Sequence, residues 1–581
     1  MEKKPREKNY TLCAILLILA VLAADVAAVS TREGYHMDEI LSYQLANSEF
    51  TPWITPVQPE GRLEKFYREM IRGNGPADTL SNLFRQAKDV LTRRGASVAA
   101  QYKADLYEEP QWMSADDFTD YVTYDSEDSV PVLSPYYNST TDNHPPVYFI
   151  LMNLISIFAG EHLSPWPGTI LNLIFLLLSL LMILRLFGRV YERPGLGIAA
   201  GAMYGLSLAG FHSVMLIRMY MMVAFWCLTV LTLCLEKLKK AEDADRPFRY
   251  GNKALIWATT FGFLTQYFFC FFMFFLALWV LARLLLMKRG KDALYFLRSL
   301  GLSALAGLVL YPFAFHDLLH TDRGVEALGA LSGGWSGLLR NAGTFGRILI
   351  RETLGGWWGL GLVGVLVLLL ITLKAQEHAW SEILLPVYLL GGYFLVVSLV
   401  APYQVDRYLM PAMPMVAIFF VLLCDAIVRR FEEILPAGSA RRAHWPLILL
   451  LGVILVLPPV ITNFFTMEYS FVGYEAQRQI SADYADRDCL CVHPGYGFYR
   501  NVPEMMNYRH SLILKEEELT SRAYDERIVQ NTELILICGN GVDRQAMLEF
   551  MSSWYGYADH QTLLENGVFG DTVFLLQKVI E

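Results

Sequence analysis

FFCFFMFFLALWVLARLLLM, from Phe268 to Met287, carries one charge, Arg283, in twenty residues. A helix that crosses the hydrocarbon core needs about 20 mainly apolar residues. Thr169–Leu186 and Leu447–Ile461 are runs of the same kind. The chain as a whole is 54% hydrophobic and 18% charged, against about 25% charged in soluble domains. Its apolar residues are clustered rather than periodic. The sequence is therefore that of a polytopic all-α membrane protein.

A formal charge of −9 over 581 residues argues against nucleic acid as a partner, because phosphate binding needs a basic surface. The eight cysteines show no CxxC and no Cys/His metal spacing, so no metal site is expected from them. Cys13, Cys227, Cys234, Cys270 and Cys424 lie in apolar runs, as small core hydrophobes do. Cys489, Cys491 and Cys538 lie in the tail.

Loop charge sets the expected topology. MEKKPREK precedes an apolar run from Tyr10 to Val29. That run is long enough to span and lacks a small-residue cleavage site, so it reads as a first span with a cytoplasmic N-terminus. Residues 32–143 are then outside. From Ala104 to Asn143 the loop has no Lys or Arg. Val147–Gly160 is short for a span and reads as a surface helix. With that choice the basic stretches Lys237–Lys253, Lys288–Lys291 and Arg429–Arg442 fall inside. About eleven spans result. The loop Phe315–Gly355 fits less well: it is expected outside, yet carries Arg323, Arg340, Arg347 and Arg351.

The expected domains are a membrane module, 1–465, which includes the loop 32–143, and a small extracytoplasmic α/β domain, 466–581. Within the tail, Leu490–His493, Ser511–Lys515, Glu533–Cys538 and Thr572–Gln577 read as strands, and Gln545–Tyr555 has helical spacing. Leu63–Arg72 and Asp78–Arg93 have helical periodicity within the loop. No GxGxxG or P-loop appears.

Five polar segments stand at the edges of apolar runs: MDE (Met37–Glu39), NHPP (Asn143–Pro146), RMY (Arg218–Tyr220), TQY (Thr265–Tyr267) and DRY (Asp406–Tyr408). The topology puts all five on the outer side. Each has a bland explanation beside a chemical one. Asp38 and Glu39 suit a helix N-terminus, where the macrodipole favours acids; a carboxylate there also serves as a general base towards a hydroxyl. Pro145 and Pro146 open helices, and His144 is a cap or a ligand. Arg218 and Arg407 are snorkelling arginines or grips on a phosphate, which the guanidinium fits. Tyr220 and Tyr408 suit an interfacial belt. Gln266 and Tyr267 mark a tight hairpin between two helices. Asn138-Ser139-Thr140 is a glycosylation sequon only in a eukaryotic secretory compartment.

Taken in order, these segments resemble the GT-C membrane glycosyltransferases, in particular the branch of protein O-mannosyltransferases and bacterial lipid A aminoarabinose transferases. The likeness covers roughly residues 10–430. It rests on Asp38-Glu39 after the first span, His144-Pro145-Pro146-Val147 closing the long loop, Arg218-Met219-Tyr220, Thr265-Gln266-Tyr267-Phe268, and Arg407-Tyr408-Leu409-Met410-Pro411-Ala412-Met413-Pro414. Some members carry a second acid after the arginine; here Tyr220 stands there. The resemblance implies transfer of a sugar from a polyprenyl-phosphate donor to a glycan, lipid or protein acceptor at the outer face of the plasma membrane, with inversion. It implies Asp38 and Glu39 as catalytic residues, Asp38 as the base that activates the acceptor hydroxyl and Glu39 orienting Asp38 or binding the acceptor. His144, Arg218 and Arg407 would bind the donor phosphate, and Tyr220, Gln266, Tyr267 and Tyr408 would line the substrate. No cofactor is named, and a divalent metal is left open. A lipid or polysaccharide transporter is the alternative; Asp25 in the first span is one ionisable group of the kind it needs.

Overall fold

The computed structural model describes residues 5–49, 77–78, 81–82, 84–85, 88, 110–124, 132–140, 142–243, 248, 252–314, 334–374, 377–434, 444–521 and 524–579. The helix expected at Leu63–Arg72, most of that at Asp78–Arg93, and Arg323 lie outside them. Contacts divide the chain into two compact units. The first comprises Met1–Arg32, Asp142–Leu151 and Pro165–Ser470; the second comprises Glu33–Thr141, Met152–Ser164 and Phe471–Glu581. The sequence placed the loop 32–143 with the membrane module, whereas the contacts group residues 33–141 with the tail.

The first unit is helical. Among the described residues eight helices are long and apolar enough to cross a membrane, or up to ten if each of two bent pairs is one span. The sequence reading counted about eleven over the whole chain, including residues outside the described ones. Asn252–Thr265 has only 14 residues, about 21 Å at 1.5 Å per residue, which falls short of a hydrocarbon core of about 30 Å. Val147–Ser156, with 10 residues, is shorter still. The bent pairs are Pro194–Gly205 with Leu208–Met215, at 60°, and Gly337–Leu354 with Trp357–Thr372, at 82°. At the second bend Gly355 and Gly356 take φ of +68° and +110°, a region glycine enters without a Cβ penalty. A Cβ on Gly355 would stand 2.4 Å from the Leu455 carbonyl oxygen.

Tyr220–Glu242 and Met410–Ile434 are buried over most of their length and form the centre of this unit. Tyr10–Val29, Gly290–Leu310 and His444–Asn463 leave most of theirs open, with Leu294, Leu305 and Val309 exposed. That is the pattern of helices whose outer faces meet lipid. Gly205 lets the first span approach closely: a Cβ there would meet Val21 at 2.7 Å.

Ion pairs gather at one end of these helices. Arg185 pairs with Glu236 at 2.7 Å, and Arg193 with Glu382 at 2.8 Å and with Asp425 at 2.9 Å. The RMY and DRY segments stand at the opposite ends of the same helices. Arg351, one of the cations of the loop that fits the charge reading less well, donates to Glu352 and Glu468.

The second unit holds a six-stranded sheet of order β1-β3-β2-β4-β6-β5. The strands are β1 (Met113–Ser114), β2 (Asp488–Val492), β3 (His510–Leu514), β4 (Glu533–Cys538), β5 (Asp559–Leu564) and β6 (Thr572–Gln577). β2 pairs in parallel with β3 and β4, and the other pairings are antiparallel. Leu490, Val492, Leu512, Leu534 and Leu536 of the central strands pack with Met547 and Met551 of the helix Arg544–Tyr555. The tail is thus the α/β fold expected, extended by two strands. β5 is an edge strand whose first four residues are exposed, so it lacks the apolar alternation that marks the rest. β1 comes from the long loop and pairs Met113 with Ser511. All eight cysteines are free.

Candidate functional site

Arg218 lies in the turn between Leu208–Met215 and the helix that starts at Tyr220. A helix end leaves carbonyls without intrahelical partners, and this turn satisfies them from outside. Asn172 Nδ2 donates to the carbonyls of Val214 (3.1 Å) and Leu216 (2.8 Å), and Arg32 Nη1 donates to that of Met215 (2.6 Å). The turn is fixed and carries its arginine inward. Arg218 is 3% exposed, which is burial, not snorkelling.

The NHPP segment meets this arginine through a residue one place before it. Asp142 is 5% exposed and its Oδ2 lies 2.8 Å from His144 Nδ1. Burial alone would raise the Asp142 carboxyl. The His144 ring, with the Arg218 charge also close, outweighs burial and holds the carboxyl below its usual range. Pro145 and Pro146 are buried directly before the helix Val147–Ser156.

Three more segments converge through aromatic rings. The rings of Tyr220 and Tyr408 meet edge to face, centroids 6.5 Å apart. Phe268, the residue after TQY, lies 5.1 Å from the same Tyr408 ring. The Arg407 guanidinium stands 5.6 Å from that ring's centre, and Tyr393 Oη donates to the Tyr408 carbonyl at 2.9 Å. Gln266 and Tyr267 form the hairpin expected between Asn252–Thr265 and Phe269–Leu286: the amide of Phe269 donates to the Gln266 carbonyl and that of Cys270 to the Tyr267 carbonyl. Gln266 is 5% exposed, and Tyr267 packs on Phe263 with centroids 5.5 Å apart.

Asp38 and Glu39 belong to the second unit, on the helix Met37–Asn47. Their roles there differ. Glu39, fully buried, accepts the His36 amide at 2.6 Å and closes a capping box. Asp38 is partly exposed, with Oδ2 3.6 Å from His36 Nδ1.

Three groups escaped the sequence reading, and they gather around Asp406, the acid of DRY. His212, Glu352 and Asp406 are buried together, with His212 Nδ1 2.8 Å from Glu352 Oε2 and 3.7 Å from Asp406 Oδ2. Glu468, more exposed, brings a carboxylate to His212 and Asp406 with all three ligand atoms within 4.8 Å of one another. Burial, with the Glu352 carboxylate adding to it, pushes the Asp406 carboxyl up. Only Asp406 had a signal, as the acid of DRY. His212 and Glu352 sit inside helices and Glu468 follows one, without a shared spacing.

No family of known sequences and no curated relative matches the chain. Among solved structures it is similar to ArnT from Cupriavidus metallidurans bound to undecaprenyl phosphate, at 12% identity and a TM-score of 0.47, over 74% of this chain and 88% of that one. The apo form of the same protein gives 13% and 0.46. The archaeal oligosaccharyltransferase AglB from Archaeoglobus fulgidus, in complex with an inhibitory peptide and a dolichol-phosphate, is similar at 12% and 0.33, over 68% and 61% of the two chains. The first is a lipid A aminoarabinose transferase, of the branch that the motif order resembles. Likenesses this remote carry no conclusion about what the chain does.

Proposed function

We propose that this chain is a membrane glycosyltransferase that moves a sugar from a polyprenyl-phosphate donor to an acceptor hydroxyl at the outer face, with inversion. The observation that carries this reading is the buried Arg218. A guanidinium deep among apolar helices is costly unless an anion meets it. The Asp142 carboxylate, paired with His144, is close to it. Arg407 joins the same neighbourhood through the Tyr220–Tyr408 ring contact. Two guanidiniums and an imidazole in one neighbourhood suit a bound phosphate, since guanidiniums grip phosphate through paired hydrogen bonds.

In the reaction, the acceptor oxygen forms a bond to the anomeric carbon as the bond from that carbon to the phosphate oxygen breaks. The electron pair leaves with the polyprenyl phosphate, which gains one negative charge. Arg218 and Arg407, with His144, stabilise that charge where it develops. Asp38 takes the proton of the acceptor hydroxyl. Attack opposite the leaving group inverts the anomeric centre. A lipid-borne donor also fits the site's place at a span edge, since nucleotide sugars are confined to the cytoplasm.

The test is turnover by the purified chain in nanodiscs supplied with polyprenyl-phosphate sugars, read as release of free polyprenyl phosphate. Release that disappears in the Arg218→Ala variant supports the reading. Movement of the lipid across vesicles with no release would overturn it in favour of transport.

A further inference from the structure

The strongest unassigned feature is the buried cluster around His212. Asp406 Oδ1 is fully engaged: it accepts the Tyr469 hydroxyl at 2.7 Å and the Arg407 amide at 2.7 Å. These two donors aim the other oxygen, Oδ2, at His212, and among the described residues Oδ2 has no hydrogen-bond partner. Glu352 Oε1 accepts from Arg351 at 2.8 Å, while its Oε2 stands 2.8 Å from His212 Nδ1 in an ion pair. Nε2 of the same ring, on a side chain only 4% exposed, has no hydrogen-bond partner among the described residues. Buried polar atoms without partners are rare and call for an explanation. Asp406 Oδ2 and His212 Nε2 are two such atoms on neighbouring side chains.

We infer that His212, Asp406 and Glu468 bind one divalent transition-metal ion of the Mn2+ or Zn2+ kind. One imidazole nitrogen and two carboxylate oxygens are a ligand set that such ions accept. The three ligand atoms already lie within 4.8 Å of one another, so a small closure brings them onto one ion. Charge agrees. Three carboxylates, Glu352, Asp406 and Glu468, face the cations Arg351 and Arg407, and a divalent ion adds the positive charge that lets the imidazole stay neutral.

The supporting shell is built too. Tyr469 holds Asp406 and packs edge to face on the His212 ring, centroids 5.5 Å apart. Arg351 ties Glu352 to Glu468. Such outer partners orient the ligands of a metal site. Glu468 is 49% exposed, so the ion has an entry path, and water fills its remaining positions. A protonated His212 paired with Glu352 would be the purely structural alternative. It leaves Asp406 Oδ2 without a donor and gives Glu468 no part. None of the three ligands is among the residues assigned to the transfer reaction, and the inference does not depend on it.

The experiment uses the full chain in detergent, without a histidine tag, stripped with a chelator and dialysed. Mn2+ is titrated by electron paramagnetic resonance and Zn2+ by elemental analysis after gel filtration, with melting temperature followed throughout. Wild type should take up about one ion per chain and melt higher when loaded, as binding to the folded state alone requires. Glu468→Gln changes a half-exposed group and should fold, yet bind at least about tenfold more weakly. Asp406→Asn should behave likewise, with its unloaded melting temperature as the folding control. No uptake by wild type, or wild-type uptake by Glu468→Gln, overturns the site in favour of the ion pair.

Discussion

Tyr499 donates a 3.0 Å hydrogen bond to Oε1 of Gln44 across 455 residues of sequence. Both side chains are buried. Tyr499 follows the exit of β2, and Gln44 lies on the helix that carries Asp38 and Glu39. Arg500 adds a contact to Met37 Sδ at 3.9 Å. The tail thus braces the helix of Asp38, the proposed general base. Tyr499→Phe removes the bond and little volume. It should cost about 0.5–1.5 kcal/mol of stability and lower kcat while leaving the KM for donor near wild type. A variant that melts lower with unchanged kcat would show that the brace matters only for folding.

The two acids of MDE should separate cleanly. Asp38→Asn keeps volume and removes basicity, so turnover should fall by about 10²–10⁴ with an unchanged melting temperature. Glu39→Gln still accepts the His36 amide, since glutamine also closes a capping box. It should lose about 0.3–1 kcal/mol from the helix N-terminus and keep turnover within a few-fold. If Glu39→Gln is folded but inert, Glu39 is chemical and its capping role secondary.

Arg218 and Arg407 should both resist replacement by lysine. Lysine keeps the charge and loses the paired grip. Donor affinity should weaken in both Arg→Lys variants, and Arg→Ala should cost about 2.7–4 kcal/mol of transition-state stabilisation. Arg218 is the sharper case because it is buried and near Asp142. Two lysine variants with wild-type affinity and rate would send the search for the donor site elsewhere, beginning with His144.

Orientation is open to direct labelling. Ser553 on the tail helix Arg544–Tyr555 and Lys240 at the basic end of a span are both exposed. Single cysteines at these positions, in a chain without its native ones, should react oppositely to an impermeant thiol reagent on intact cells. The charge reading expects Ser553→Cys to label and Lys240→Cys to stay dark. The reverse pattern would turn the topology over.

The long helices were legible because a run such as Phe268–Met287 needs no tertiary context to declare itself. So were the tail strands: β2 and β4 are almost wholly apolar and buried. What the sequence hid was every feature set by distance in space. The bend at Leu206–Ser207 breaks an apolar run that looks continuous. β1 is two residues of a polar loop, and nothing local says that they pair with β3. The five motifs were visible because each stands at the edge of an apolar run. Asp142 and His212 were not, because their meaning lies in Arg218 and Asp406 next to them rather than in their own spacing.

The last expectation concerns pH. Glu504 is fully buried in the second unit, accepting from Gln477 Nε2 at 2.8 Å and Asn501 Nδ2 at 3.0 Å. Burial pushes its carboxyl up to about 7, with the Asp571 carboxylate adding to the shift and the Asn501 bond opposing it. The folded state therefore holds this proton more tightly than the unfolded chain, whose ordinary value is 4.5. The advantage is complete below pH 4.5 and is lost as pH rises through about 7. At about 1.36 kcal/mol per unit, the whole loss is of order 3 kcal/mol. For a unit of this size that is a fall of roughly 6–12 °C in melting temperature. Calorimetry of the full chain between pH 5 and 8 reads it. Asp571→Asn removes the neighbouring negative charge, so the fall should begin at lower pH and be smaller. A melting temperature that stays level across this range, or a fall that Asp571→Asn leaves where it was, would show that Glu504 is ionised in the folded protein at all these pH values.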